Sequence, residues 1–183
     1  MAGHTNSNKN ISPAALLSLL NDYHLLSFDS IDSTNEEAKR LAGAGGSHGA
    51  VIWAKEQTAG KGRQNRAWIS REGNLFVSVL LQPGCAFEII PQLTHVAAVA
   101  ALETIEAILP DNADLAIKWP NDVLVDNQKI AGILLESFGT ESDTDRWVTV
   151  GVGINIDSSP KDVDFPATSL KEQGVEIISA KIV

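Results

Sequence analysis

The sequence has a single cysteine, Cys85, which excludes an internal disulfide and fits a reducing, cytoplasmic setting. No apolar run approaches the roughly 20 residues that span a bilayer, so no membrane partner is expected. The opening MAGHTNSNKN lacks the apolar core of a signal peptide. Positive charge is scarce. Fourteen Lys and Arg against 23 Asp and Glu leave a net charge of −9, with a pI near 4.8. That balance argues against the broad basic face of a nucleic-acid binder, and no DNA partner is expected. Two nucleotide motifs are also missing. The Walker A pattern G-x-x-x-x-G-K-[ST] occurs nowhere, and Gly60 and Gly62 followed by Asn65 do not meet G-x-G-x-x-G. Internal repeats and low-complexity segments are absent.

What is present is 183 residues with 44% hydrophobic and 20% charged content, enough for one globular domain with a proper core. Residues 1–24 are expected to be a polar tail and a short helix from Ser12 or Pro13 to about Asn21. Residues 25–183 are expected to form the functional domain. Leu25 to Phe28 reads as a strand. Ser33-Thr34-Asn35-Glu36-Glu37 starts a helix, with a capping box from Thr34 to Glu37, and Gly43, Gly45 and Gly46 end it. Ala50 to Lys55 and Asn74 to Leu81 read as strands. Glu88 to Leu109 has helical spacing, with Leu93, Val96, Ala97, Ala100, Ala101 and Ile105 as the inward stripe. Leu115 to Lys118 is a strand stopped by Pro120. Val123 to Val125 pairs with Lys129 to Leu135 as a hairpin across Asp126-Asn127-Gln128. Arg146 to Ile156 is the last strand. This order implies an α+β fold, a mixed and mostly antiparallel sheet with helices packed on one side.

Chemistry concentrates at Glu56 to Trp68, EQTAGKGRQNRAW, where Lys61, Arg63 and Arg66 alternate with Gly60 and Gly62. Such a loop can hold an anion with backbone N–H and cationic side chains together. The bland alternative is a solvated basic loop. Ser33, Thr34 and Asn35 are cap residues, yet a helix N-terminus facing a cleft offers free N–H groups to a polar ligand. Lys118 ends a strand before a proline turn, where side chains often point into a site. Gly151 and Gly153, two residues apart in a strand, suggest something packed against the backbone.

Four stretches together resemble the catalytic domain of the biotin protein ligases. They are Ser33-Thr34-Asn35, the glycine-basic loop with its trailing Trp68, Lys118-Trp119-Pro120-Asn121-Asp122 continuing to Lys129-Ile130-Ala131-Gly132-Ile133-Leu134, and Gly151-Val152-Gly153-Ile154-Asn155. The resemblance covers roughly Ser27 to Leu170. The loop departs from the usual G-R-G-R-x-G-R-x-W at Lys61, which keeps charge but loses the planar fork, and at Asn65, which tolerates a left-handed backbone. The chain stops before the small C-terminal β domain usual in the family.

The resemblance implies a biotin–lipoate ligase fold, like that of class II aminoacyl-tRNA synthetases. It also implies ATP and biotin as substrates with Mg²⁺ on the nucleotide, and a biotin carboxyl carrier protein as partner. Biotin becomes biotinyl-5′-AMP and is then passed to a carrier lysine. Arg63 and Lys118 are the implied catalytic cations. Biotin would meet Ser33, Thr34, Asn35, Gln57, Gly60, Lys61, Gly62, Arg63, Lys118, Gly151 and Gly153. The nucleotide would meet Lys61, Arg63, Arg66, Trp68, Lys118, Asn121, Lys129 and Asn155. No motif residue stands out as a protein ligand for a metal or as general base for the incoming lysine. Without ligand, Thr58 to Ala67 is expected to be mobile. Sheet-edge strands leave room for a homodimer. Two alternatives stand: a lipoate or octanoate ligase of the same fold, which would usually carry R-R-x-x-G-G-G, and a catalytically weak biotin-binding module.

Overall fold

The structure is a computed structural model and describes residues 22–139, 146–161 and 163–176. The expected helix ending near Asn21 lies outside the described residues. In chain order the elements are β1 (His24–Ile31), α1 (Thr34–Gly43), β2 (Ala50–Gln57), a short 3₁₀ turn (Arg63–Asn65), β3 (Leu75–Leu81), α2 (Gln92–Glu106), β4 (Leu115–Lys118), β5 (Asp122–Val125), β6 (Gln128–Gly139) and β7 (Arg146–Ile154). They build one seven-stranded sheet in the order β1-β2-β3-β7-β6-β5-β4. Only β1 and β2 pair in parallel, and every other pair is antiparallel. The mixed, mostly antiparallel sheet is as expected.

The two helices, however, lie on opposite faces of that sheet. Strand alternation decides this. Val148, Val150 and Ile154 of β7 join the core cluster with Ala98, Ala101 and Ile105 of α2. Gly151 turns the other way, toward Asn35 of α1. There Ala38 of α1 packs with Ile52 and Leu80. The expected stripe on α2 also shifts. Ala101 and Ile105 are buried as read, but Val96 is 63% exposed and Ala98 takes an inward place. In a helix apolar on nearly all sides, periodicity alone does not choose the buried face.

Local chemistry explains the turns. Asp126 and Asn127 both have positive φ, 48° and 60°, and Val125 pairs with Gln128. The hairpin therefore closes on two residues, one fewer than the sequence suggested. After α1, Gly46 N–H donates to the Leu41 carbonyl at 2.8 Å and Gly45 N–H to that of Ala42 at 3.1 Å. Gly45 has φ 82°, the left-handed stop that glycine permits.

Candidate active site

The face of the sheet that carries α1 holds most of the residues singled out in the sequence. The capping box expected at Thr34 does not form. Ser33 is the N-cap and makes no side-chain cap bond, while Glu37 pairs with Arg40 at 2.7 Å. Asp32 orients the turn instead, accepting Ser33 N–H at 2.7 Å and both terminal nitrogens of Arg40 at 2.8 and 2.7 Å. The Arg40 guanidinium, and then the Ser33 N–H, hold the Asp32 carboxyl at about 2, against its ordinary 3.8. A carboxyl lowered on folding stabilises above its unfolded value and loses that contribution as pH falls through the folded one. Asp32→Asn should therefore be modestly less stable than the parent above about pH 4, the pair being partly exposed. The gap should close as pH falls toward 2. Thermal unfolding of both chains from pH 7 to 2 tests this, and a gap that stays constant would assign the effect to something other than the charge.

The tip of α1 is buried and cross-braced. Ser33, Thr34 and Asn35 are each at most 4% exposed. Thr34 N–H donates to Gln57 Oε1 at 2.8 Å, and Gln57 Nε2 donates to Ser70 Oγ at 2.8 Å. The Ser78 hydroxyl lies 2.6 Å from Asn35 Oδ1 and 2.8 Å from Thr34 Oγ1. Asn35 Nδ2 donates to Glu136 Oε2 at 2.7 Å. A Cβ added to Gly151 would sit 2.3 Å from Asn35 Oδ1, so glycine there makes room for this amide.

The glycine-basic loop is a folded flap. Isolated bridges join Gln57 to Ser70 and Lys61 to Ala67, and Gly62 N–H donates to the Arg66 carbonyl at 2.7 Å. Gln64 and Asn65 hold left-handed φ of 55° and 57°, so Asn65 does carry the turn where glycine is usual. The Trp68 indole lies on bare backbone. A Cβ at Gly153 would meet it at 2.6 Å, and one at Gly132 at 3.0 Å. Lys129 Nζ stands 5.1 Å from the centre of the same ring.

Between flap, α1 and the β4–β5 turn lies a cavity of about 480 Å³. Arg63 and Lys118, far apart in sequence, both line it. Arg63 Nη1 is 3.5 Å from Asn121 Oδ1. Lys118 Nζ rests 3.7 Å over the Phe165 ring and 3.8 Å from Asp122 Oδ2. Asp122's closer partner is Lys129, at 2.6 Å. Ser33, Thr34, Asn35, Gln57, Lys61, Gly62, Arg66, Trp68, Asn121, Lys129, Gly151, Gly153 and Asn155 line the same cavity. Gly60 does not. It packs beneath, where a Cβ would lie 2.4 Å from Ser70 Oγ. Asn155 is buried and its Nδ2 donates to the Thr168 carbonyl at 3.0 Å, bracing the following segment.

Unanticipated from the sequence are Ser70, Ser78, Glu136 and the wall formed by Val163 and Phe165. Ser78 had a signal, being the one polar residue inside LFVSVLL. Glu136 had a weaker one, a carboxylate at the end of an apolar strand. The wall had none.

This sheet and its loop-covered slot share the catalytic fold of solved biotin protein ligases. The enzyme from Leishmania major in complex with biotinyl-5-AMP matches with TM-score 0.67 and 28% identity, over 84% of this chain and 67% of that one. The enzyme from Aquifex aeolicus in complex with biotin and ATP matches with TM-score 0.65 and 34% identity, over 81% and 60%. The family model for the biotin/lipoate A/B protein ligases matches residues 27–155. The chain belongs to the biotin/lipoate A/B protein ligase family. Among curated relatives, the bifunctional ligase/repressor BirA of Bacillus subtilis (strain 168) is 41% identical over 162 residues, covering 85% of this chain and 48% of that protein. The biotin–[acetyl-CoA-carboxylase] ligase of Paracoccus denitrificans is 43% identical over 129 residues, covering 70% and 53%. The chain spans about half the length of these curated relatives. Among the described residues, no helix is long and apolar enough to cross a membrane.

Proposed function

We propose that this chain activates biotin with ATP to biotinyl-5′-AMP and transfers the biotinyl group to a lysine of a biotin carboxyl carrier protein. The observation that carries this is the convergence of Arg63 and Lys118 on one cavity whose floor is the braced Ser33-Thr34-Asn35 tip. A volume of about 480 Å³ falls within the usual range of ligand pockets. In the first step a biotin carboxylate oxygen attacks the α-phosphorus, the α–β bridging bond breaks, and pyrophosphate leaves. Two anions must approach, so cations placed before the reaction offset their repulsion and the charge added in the transition state. Arg63 and Lys118 take that role. Ser33, Thr34, Asn35 and Gln57 face the ureido ring, with Gly151 and Gly153 leaving room on β7 for the Asn35 amide and the Trp68 indole beside it. The backbone at Gly62 supports the carboxylate.

Arg66 serves the triphosphate, which brings Mg²⁺ as part of the substrate. Trp68, Asn121, Lys129 and Asn155 surround the rest of the nucleotide. In the second step the carrier lysine nitrogen attacks the acyl carbon and AMP departs. A flap closed over the adenylate keeps water from the mixed anhydride. A cytoplasmic setting, no DNA partner and a homodimer through the sheet edges accompany this reading.

Pyrophosphate release by the chain with Mg-ATP and biotin, lipoate or octanoate in parallel tests the proposal. Release that depends on biotin is expected. Release only with lipoate or octanoate would replace biotin by those acids, and biotin binding without release would leave a binding module.

A further inference from the structure

At its base the flap is anchored by the Thr58 and Ala59 N–H bonds to the Ile31 and Asp32 carbonyls, both 2.8 Å, and by the Trp68 indole on Gly153. Its tip is fastened across the slot by side chains at two points. On the β4–β5 side the contact is the long one from Arg63 to Asn121, at 3.5 Å. On the α1 side Lys61 Nζ meets Glu36 Oε1 at 2.8 Å. Among the described residues this is the one ion pair that joins residues 58–68 to the rest of the chain. Its surroundings make it more than a chance surface contact. Lys39 Nζ shares the same Glu36 oxygen at 2.9 Å and reaches Glu136 Oε1 at 2.7 Å. The other Glu136 oxygen accepts from the Asn35 amide at 2.7 Å. Charges therefore alternate from the flap to the floor of the slot as Lys61, Glu36, Lys39, Glu136. The Glu36, Lys39 and Glu136 side chains are only 27–28% exposed, which lessens screening by salt. Glu36 also sits in the first turn of α1, where a negative charge is favoured by the helix dipole.

We propose that Glu36 is a positioning residue, its carboxylate latching Lys61 so that the flap is held over the slot in register with the Asn35 amide. Lys61 then serves the flap rather than the phosphates. This deepens the biotin-activation reading and rests on it for the identity of the ligand. The flap's attachment itself can be measured without ligand.

Trypsin cleavage after Arg63 and Arg66 in the ligand-free chain, followed by mass spectrometry, reports opening. Release of bound biotin and of biotinyl-5′-AMP, followed by stopped flow at low and high salt, reports retention. Glu36→Gln should raise both rates about two- to five-fold, the range for one partly exposed ion pair. Lys61→Met should do the same, and this exposed flap residue supplies the test if E36Q does not fold. The double variant should be no faster than either single one, since both remove one interaction. Lys61→Arg, which keeps the charge, should restore slow cleavage and slow release. Added salt should speed release from the parent more than from E36Q.

Unchanged cleavage and release in E36Q and K61M overturn the latch, as do single effects that multiply in the double variant. Absence of biotin binding by the parent chain, with cleavage still faster in E36Q, overturns the biotin reading and leaves the latch as a tie of the flap.

Discussion

Lys118→Ala and Arg63→Ala should each slow adenylate formation by about 10²–10³, the cost of removing one donor placed in advance for the transition state. Among the described residues neither side chain has a close ion pair, although Lys118 rests 3.7 Å over the Phe165 ring. Lys118 is 3.8 Å from Asp122 Oδ2, whereas Lys129 holds the other oxygen of that carboxylate at 2.6 Å. Among the described residues, the Arg63 side chain has one hydrogen bond, the 3.5 Å contact with Asn121. Cations left loosely engaged at the wall of a cavity are available to a carboxylate and a phosphate arriving together. Because they belong to segments that are distant in sequence, the two losses should also separate. Arg63→Ala removes a charge carried by the flap, and Lys118→Ala one carried by the end of β4. Single-turnover measurement with biotin and Mg-ATP checks both, and near-parental adenylation by either variant would remove that residue from the chemistry.

Gly151→Val should have the second large effect, on stability and on biotin binding together. A Cβ there would lie 2.3 Å from Asn35 Oδ1 and 3.1 Å from its Cγ. Asn35 has nowhere to move cheaply, being 3% exposed and held by Ser78 and Glu136. Displacing the amide leaves the Ser78 hydroxyl and a half-buried carboxylate short of a partner, a loss of about 1–3 kcal/mol in stability. The same displacement unmakes the polar floor of the slot, and biotin affinity should fall about tenfold for each 1.4 kcal/mol lost there. Denaturant unfolding and calorimetric titration measure the two effects. A Gly151→Val chain of parental stability and affinity would mean that the amide and the strand are not in the contact described.

Much of the site was legible before the fold was known, for a physical reason. Cations separated by glycines, a polar triplet at a helix start and paired glycines in a strand are each locally unfavourable or unusual, so each asks for a ligand or a close neighbour to explain it. The structure puts Arg63, Lys118, Asn35 and Gly151 around one cavity. Residues whose role depends on a distant partner were not legible. Glu36 read as an ordinary first-turn acid, and only the fold brings Lys61 and, through Lys39, Glu136 to it. The side of the sheet taken by each helix was hidden for the same reason. Val148 and Val150 are buried on one face of β7 while Thr149 and Gly151 are buried on the other. A strand covered on both faces gives no alternation from which to assign its neighbours. The buried arc of α2 was obscured by apolar residues such as Val96 and Val99 that remain on its outside.

The cross-tied flap between Gln57 and Ser70 has a kinetic consequence. With Lys61 bridged to Ala67 and Gly62 bonded to Arg66, its limbs are already zipped together. Ordering a floppy segment of that length from scratch would cost about 1–2 kcal/mol per residue in backbone entropy alone. A segment that stands as one preassembled hatch on its two feet avoids most of that cost when a ligand arrives. Substrate capture can then be quick without being weak, and the rate of emptying is left to the few contacts at the hatch's rim.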